Sequence, residues 1–240
     1  MKFNILTLFP GLIFPFLEEG VLGRSIKKGI LGVNVIDIRS FARGKHKVTD
    51  DRPFGGGSGM VMKPGPIYRA LQSIEMEAKS ASILLSPQGV KFDQPMAWKL
   101  AEYEQITLIC GRYEGVDERI ISDHVDMELS VGDYVLSGGE LGALIVFDAV
   151  SRLVPGVLGC GNSNKEDTFE GGLLEHPQYT RPRIFNGKEV PEVLLSGDHE
   201  KIRRWRRQQS LIRTNLKRPD LLEKAVLSKE DREILSTLKE

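Results

Sequence analysis

The segment Gln105-Ile106-Thr107-Leu108-Ile109-Cys110-Gly111-Arg112-Tyr113-Glu114-Gly115 is an apolar run of strand length that stops at a glycine and opens into a charged, aromatic loop. Two further segments repeat this form. The apolar run at 81–86 enters Ser86-Pro87-Gln88-Gly89, and the run at 125–131 enters Gly132-Asp133-Tyr134-Val135-Leu136-Ser137-Gly138-Gly139. A glycine after a strand lets backbone approach a ligand closely or turn through conformations that other residues resist. Three such turns at successive strand ends predict one shared cleft at the edge of a parallel sheet. Chain reversal needs no aromatics or paired charges, yet these loops carry Gln88, Arg112, Tyr113, Glu114 and Tyr134, which favours binding over plain turning. No G-x-G-x-x-G opens a helix and no G-x-x-x-x-G-K-[ST] occurs, so the commonest nucleotide-binding patterns are absent.

Outward from these loops, strand-length apolar runs alternate with amphipathic stretches through the first 155 or so residues, the pattern of an α/β fold with a mostly parallel sheet. Strands are expected near 2–8, 32–39, 81–86, 105–110 and 125–131. Helices are expected near 11–19, 64–78, 94–103, 117–123 and 139–153, with Pro64 and Pro95 in first turns. Between Phe41 and Met62 the pattern stops in a long loop that includes Gly55-Gly56-Gly57-Ser58-Gly59, and loops of this length are usually functional. A second irregular stretch suggests a flexible linker at 158–182, dividing an α/β domain at 1–157 from a small α-helical domain at 183–240. In the latter, Ile202, Trp205 and Ile212 form one apolar stripe, Pro219 starts a short helix, and Ser228-Lys229-Glu230-Asp231 resembles a capping box.

The composition narrows the class. The 240 residues, 40% hydrophobic, suffice for one core, or one core and a small second domain. No apolar stretch approaches the roughly 20 residues needed to cross a bilayer, and Met1 runs straight into Phe3-Asn4-Ile5-Leu6, so a cytoplasmic protein without a membrane partner is expected. Cys110 and Cys160 form no C-x-x-C pair and the four histidines show no ligand spacing, so no metal site is expected. Formal charge is zero, but between Gly197 and Asp220 eight basic residues face three acidic ones, and six of the eight are Arg. Guanidinium groups bind phosphate in a bidentate fashion and stack on bases, so this block favours nucleic acid over a merely solvated helix face. Trp205 belongs to the apolar stripe and is read as core. By themselves, Arg152 reads as a cation at a helix C-terminus and Asp167 as a solvated loop carboxylate. At this point an RNA-binding or assembly protein and a nucleotide-dependent enzyme with an unusual phosphate loop both remain open.

The strings Asp51-Arg52-Pro53-Phe54-Gly55-Gly56-Gly57, Leu85-Ser86-Pro87-Gln88-Gly89, Cys110 to Arg119, Gly132 to Glu140 and Tyr179-Thr180-Arg181-Pro182, in this order, closely resemble the bacterial tRNA (guanine-N1)-methyltransferases, the TrmD family of the SPOUT superfamily. The likeness continues through Arg203-Arg204-Trp205-Arg206 and Gln209-Ser210-Leu211, covering essentially the whole chain. The resemblance implies a parallel sheet carrying a deep trefoil knot, an exception to the rule that chains do not thread loops. It implies an obligate homodimer and S-adenosylmethionine (AdoMet) as methyl donor. The AdoMet site would comprise Ser86, Pro87, Gln88 and Gly89; Gly111, Arg112, Tyr113 and Glu114; and Val131, Gly132, Asp133, Tyr134, Val135, Leu136, Ser137, Gly138 and Gly139. By the same resemblance the substrate is the tRNA anticodon stem-loop, at the guanine immediately 3′ of the anticodon. RNA contacts would fall to Arg203, Arg204, Arg206 and Arg207, with Gly57 and Gly59. Asp167 would be the general base at guanine N1 and Arg152 the stabiliser of charge at O6. Mg²⁺ is implied as a second cofactor, with Glu114 near it or near the charged end of AdoMet.

Overall fold

The computed structural model describes residues 1–159, 168–169 and 172–237. The chain divides into two compact units, Met1–Gly161 and Asn162–Glu240.

The first unit contains β1 (Lys2–Thr7), β2 (Gly32–Asp37), β3 (Asp50–Asp51), β4 (Val61–Met62), β5 (Ser80–Lys91), β6 (Gln105–Cys110) and β7 (Met127–Ser130). Its helices are α1 (Phe14–Glu18), α2 (Gly20–Lys27), α3 (Pro64–Gln72), α4 (Gln94–Ala101), α5 (Glu118–His124) and α6 (Glu140–Ser151). The main sheet has the order β2-β1-β6-β5-β7, with every pair parallel. All six residues of β6 are buried, as expected of a central strand covered on both faces.

Strand alternation sorts the core into two layers. Phe3, Ile5, Ile83, Leu85, Ile106 and Leu108 join Phe147 of α6 and Leu100 of α4 on one side. Leu6, Leu84 and Ile109 join Ile67 of α3 and Ile120 of α5 on the other. Phe3 and Phe147 meet edge to face with ring centres 4.9 Å apart, a favoured aromatic geometry.

Three differences from the expected elements have local causes. The helix expected at 11–19 is a 3₁₀ turn at Pro10–Leu12 followed by α1, and Gly20, at φ +66°, separates α1 from an unforeseen α2. The two helices cross so tightly that a Cβ on Gly23 would sit 2.5 Å from the Glu18 carbonyl carbon. The helix expected to run to 78 ends at Gln72. The long loop holds a small antiparallel ladder, β3 with β4, and its Gly55, Gly56, Gly57 and Gly59 all have positive φ, which side chains other than glycine resist.

In the second unit, β8 (Ile184–Phe185) and β9 (Lys188–Glu189) form a hairpin around Asn186-Gly187, both at positive φ. This is the turn chemistry that Asn-Gly supports. It is followed by α7 (His199–Lys217), α8 (Pro219–Leu222) and α9 (Lys229–Thr237). Asp198 caps α7 by accepting from the Lys201 amide. Residues 173–180 have no regular structure of their own and bond to α7 instead. The Leu174 amide donates to Thr214 Oγ1 at 2.9 Å, and the Ser210 hydroxyl donates to the Leu174 carbonyl. Within the stretch read as a linker, Leu174 is therefore fastened to α7 of this unit. Among the described residues, no helix is long and apolar enough to cross a membrane.

The expected capping box forms at α9: the Asp231 amide donates to Ser228 Oγ at 3.1 Å, and the Ser228 amide donates to the Asp231 carboxylate at 2.9 Å. Arg207 of α7 adds two bonds to the same carboxylate, at 2.8 and 2.7 Å. The Arg207 guanidinium, outweighing the opposing effect of burial, lowers the Asp231 pKa to about 2. Because the folded value lies below the unfolded one, this stabilisation is complete above about pH 4 and disappears as pH falls toward 2, a loss of about 1–2 kcal/mol. Hydrogen exchange at the α9 amides should show that loss in the native chain and a pH-independent, weaker α9 in Asp231→Asn.

Candidate active site

The cleft begins with an interruption of β5. Leu85 and Val90 both stand opposite Leu129 of β7, so Ser86–Gly89 is thrown out of the ladder as a loop. The chain returns to the strand so closely that a Cβ on Gly89 would lie 2.5 Å from the Leu129 amide nitrogen. At the end of β6, Gly111 accepts from the Gly139 amide at 2.8 Å, and Arg112 forms a bridge with Gly138. This draws the loop before α6 onto the loop after β6. A Cβ on Gly139 would sit 2.8 Å from Cys110 Cα, so the contact requires glycine there. Tyr113 is held at φ +60°, an uncommon conformation for an aromatic residue. The amide bonds Glu114 to Met60, 3.0 Å, and Gly115 to Arg112, 3.1 Å, fix the turn.

The three loops surround one cavity of about 270 Å³. Ser86, Pro87, Gln88, Gly111, Arg112, Tyr113, Glu114, Val131, Gly132, Tyr134, Val135, Leu136, Ser137, Gly138 and Gly139 all line it. Gly89 and Asp133 do not: Gly89 serves the strand crossing, and Asp133 is exposed to solvent. The cavity also uses residues that the sequence reading left out, including Glu118 of α5, Glu128 of β7 and Gly142 of α6. These lie inside regular elements, where nothing in local patterning separates a lining residue from a structural one.

Charge in the cleft is organised by Glu140, the first residue of α6 and only 2% exposed. The Thr7 hydroxyl at the end of β1 donates to it at 2.7 Å. Arg112 Nε donates at 3.0 and 3.2 Å, and Arg112 Nη2 lies 2.9 Å from it. Arg112 Nη1 donates to the Ser137 carbonyl at 3.0 Å, and the guanidinium stacks over the Phe9 ring at 4.4 Å. Arg112 is thus a clamp between loops, with its charge matched by Glu140. Among the described residues, the other charged groups lining it are Glu114, Glu118 and Glu128, all acidic. Such a cleft suits a cationic ligand and opposes phosphate groups. Beneath it, burial and then the neighbouring Glu140 push the Cys110 thiol well above its usual range, which keeps it protonated and unsuited to nucleophilic attack.

None of the remaining predicted residues that the structure describes lines this cavity. Arg152 caps the C-terminal end of α6, whose 12 residues put it about 18 Å from the end that borders the cleft. Asp167 lies outside the described residues. A Cβ on Gly59 would collide with the Glu114 side chain, so the glycine loop abuts the cleft, whereas Gly57, at φ +115°, faces open space. On α7, Arg203 pairs with Glu200, Arg204 with Glu200 and Glu230, and Arg207 with Asp231.

A parallel α/β sheet with an acidic cleft built from glycine loops at its strand ends defines a small-molecule-binding α/β protein, with a lining unsuited to polyphosphates. The sequence profile of the tRNA (Guanine-1)-methyltransferase TrmD family matches residues 1–224, and the chain belongs to that family. It is 53% identical over 239 residues to the tRNA (guanine-N(1)-)-methyltransferase of Myxococcus xanthus, covering 99% of this chain and 96% of the relative. The like-named protein of Moorella thermoacetica is 53% identical over 99% of this chain and 96% of its own. That of Staphylococcus epidermidis is 52% identical over 100% and 98% respectively.

Removing one partner of a buried ion pair leaves the other uncompensated, at a cost of about 3–5 kcal/mol. Glu140→Ala should therefore lower the urea midpoint of the first unit by that equivalent, with Glu140→Gln intermediate because it retains a hydrogen-bond acceptor for Thr7.

Proposed function

We propose that this protein is a tRNA (guanine-N1)-methyltransferase that transfers a methyl group from AdoMet to N1 of the guanine immediately 3′ of the anticodon. The observation that carries the reading is the convergence of three glycine loops on one acidic cavity, in a chain that belongs to the tRNA (Guanine-1)-methyltransferase family. The cleft fits AdoMet: its acidic lining complements a sulfonium and an ammonium, its backbone edges can recognise an adenine, and the Arg112 charge is already matched by Glu140. AdoMet supplies a methyl carbon activated by the positive sulfur to which it is attached.

The chain must then hold the base and take its proton. Guanine N1 is protonated at neutral pH, so a methyltransferase acting there needs a general base, and it needs positive charge or donors at O6 as the proton leaves. Asp167 is proposed as the base and Arg152 as the O6 partner. The loops 86–89, 111–114 and 131–139 would orient the donor and exclude water, since an in-line transfer depends chiefly on alignment. Glu114 is the residue proposed to face the ammonium or a Mg²⁺.

Since Arg152 lies a helix length from the cleft of its own chain, a complete site requires a second copy, which supports a homodimer. The outward stripe of α6 agrees with this: Leu141 and Ile145 are 60% and 44% exposed on a helix that is apolar all round. Such helices are normally covered. We further read the first unit as a SPOUT domain with a trefoil knot and the second as a small helical tRNA-binding domain joined by a linker, in a cytoplasmic enzyme.

Two measurements test the reading. AdoMet should raise the melting temperature of the protein, and ATP or NAD should not; a response to ATP or NAD instead would point to a nucleotide enzyme. Asp167→Ala should keep AdoMet binding while turnover on a tRNA transcript falls at least about 10²-fold. Wild-type turnover in that variant, or a methyl group mapped to another nucleotide, would refute the assignment.

A further inference from the structure

The basic block was expected to meet RNA as a whole, but its guanidinium groups are not equivalent. Arg203, Arg204 and Arg207 are engaged by Glu200, Glu230 and Asp231, so part of their charge is spent inside the unit. Arg206, one turn away on the same helix, has no such carboxylate partner among the described residues, and neither have Arg181 and Arg183 on the segment before the β8–β9 hairpin. These three cations line a single concavity of about 470 Å³ in the second unit. Its apolar floor includes Ile202 and Leu194. On its wall stands Tyr179, 48% exposed, whose ring rests against Trp205 with centres 6.3 Å apart.

Three like charges around one hollow repel one another, and a bound anion relieves that repulsion. An aromatic ring beside them, backed by a second ring, offers a stacking surface. We propose that this hollow binds one unpaired nucleotide of the RNA substrate, with the base stacked on Tyr179 and the phosphates on Arg181, Arg183 and Arg206. The arginines that meet RNA here are thus the ones without carboxylate partners. Two of them, Arg181 and Arg183, lie outside the helical block. Duplex RNA keeps its bases stacked inside, so the hollow selects a loop nucleotide. The inference rests on the tRNA reading above and adds a second contact to it.

The test uses the full-length protein and an unmodified tRNA transcript, with affinity measured from 50 to 200 mM salt. Each single-strand phosphate contact contributes about −0.7 to the slope of log K against log salt. One nucleotide is flanked by two phosphates, so combined Arg181→Gln, Arg183→Gln and Arg206→Gln should flatten the slope by about 1.4. Combined Arg203→Gln and Arg204→Gln should change it by less than half as much. Tyr179→Ala should weaken binding by at least about fivefold with the slope unchanged, while Tyr179→Phe binds as wild type does. All three arginines are exposed, so their replacement leaves the fold intact and keeps the test decisive even where Tyr179→Ala loosens the packing on Trp205. If the wild type binds and methylates the transcript while the triple variant keeps the full slope, or if the Arg203 and Arg204 pair causes the larger loss, this inference is overturned and the tRNA reading stands. If the wild type does not bind the transcript, both fall together.

Discussion

The first unit depends on one buried carboxylate. Glu140 sits in the core at the start of α6, where an unpaired charge would cost several kcal/mol. It is tolerated because its oxygens are satisfied by the Thr7 hydroxyl and the Arg112 guanidinium. The helix N-terminus also favours a negative group there. These bonds join the end of β1, the loop after β6 and the first turn of α6, three segments far apart in sequence. They also remove Arg112 from the pool of free charge. One buried group therefore sets both the shape of the cleft and its acidic sign.

Glycine provides the second constraint. Gly89 and Gly139 stand where two backbones pass closer than any side chain allows, and these crossings bring the loops around the cavity rather than letting them splay. Along its length, α6 leaves Leu141 and Ile145 exposed, with Arg152 at its C-terminal end. The helix that helps close the cleft at one end thus also presents an exposed apolar stripe.

Much of this was legible in the residue order. The five main strands fall within a few residues of the apolar runs that announced them, because burial on both faces demands unbroken hydrophobic segments. Fifteen of the seventeen expected cofactor residues line the cavity. Asp133 misses because, within a loop, consecutive side chains point in different directions, and sequence alone does not say which face inward. The α2 helix was hidden by its two glycines, Gly20 and Gly23, which depress helix propensity yet permit the tight crossing with α1. The β8–β9 hairpin carried its signal openly in Asn186-Gly187, but its strands are only two residues long and show no alternation to read.

By itself, the sequence determined the α/β class, the strand-end loops, the capping box at Ser228, and the family, because each rests on local residue chemistry or on extended strings of identity. Only the tertiary structure decided which charges are spent. Arg112 and Arg206 look alike along the chain, yet one meets a buried carboxylate 28 positions away and the other has no such partner among the described residues. Electrostatic pairing depends on distance in space, and that distance is set by the folding of elements that the sequence presents far apart.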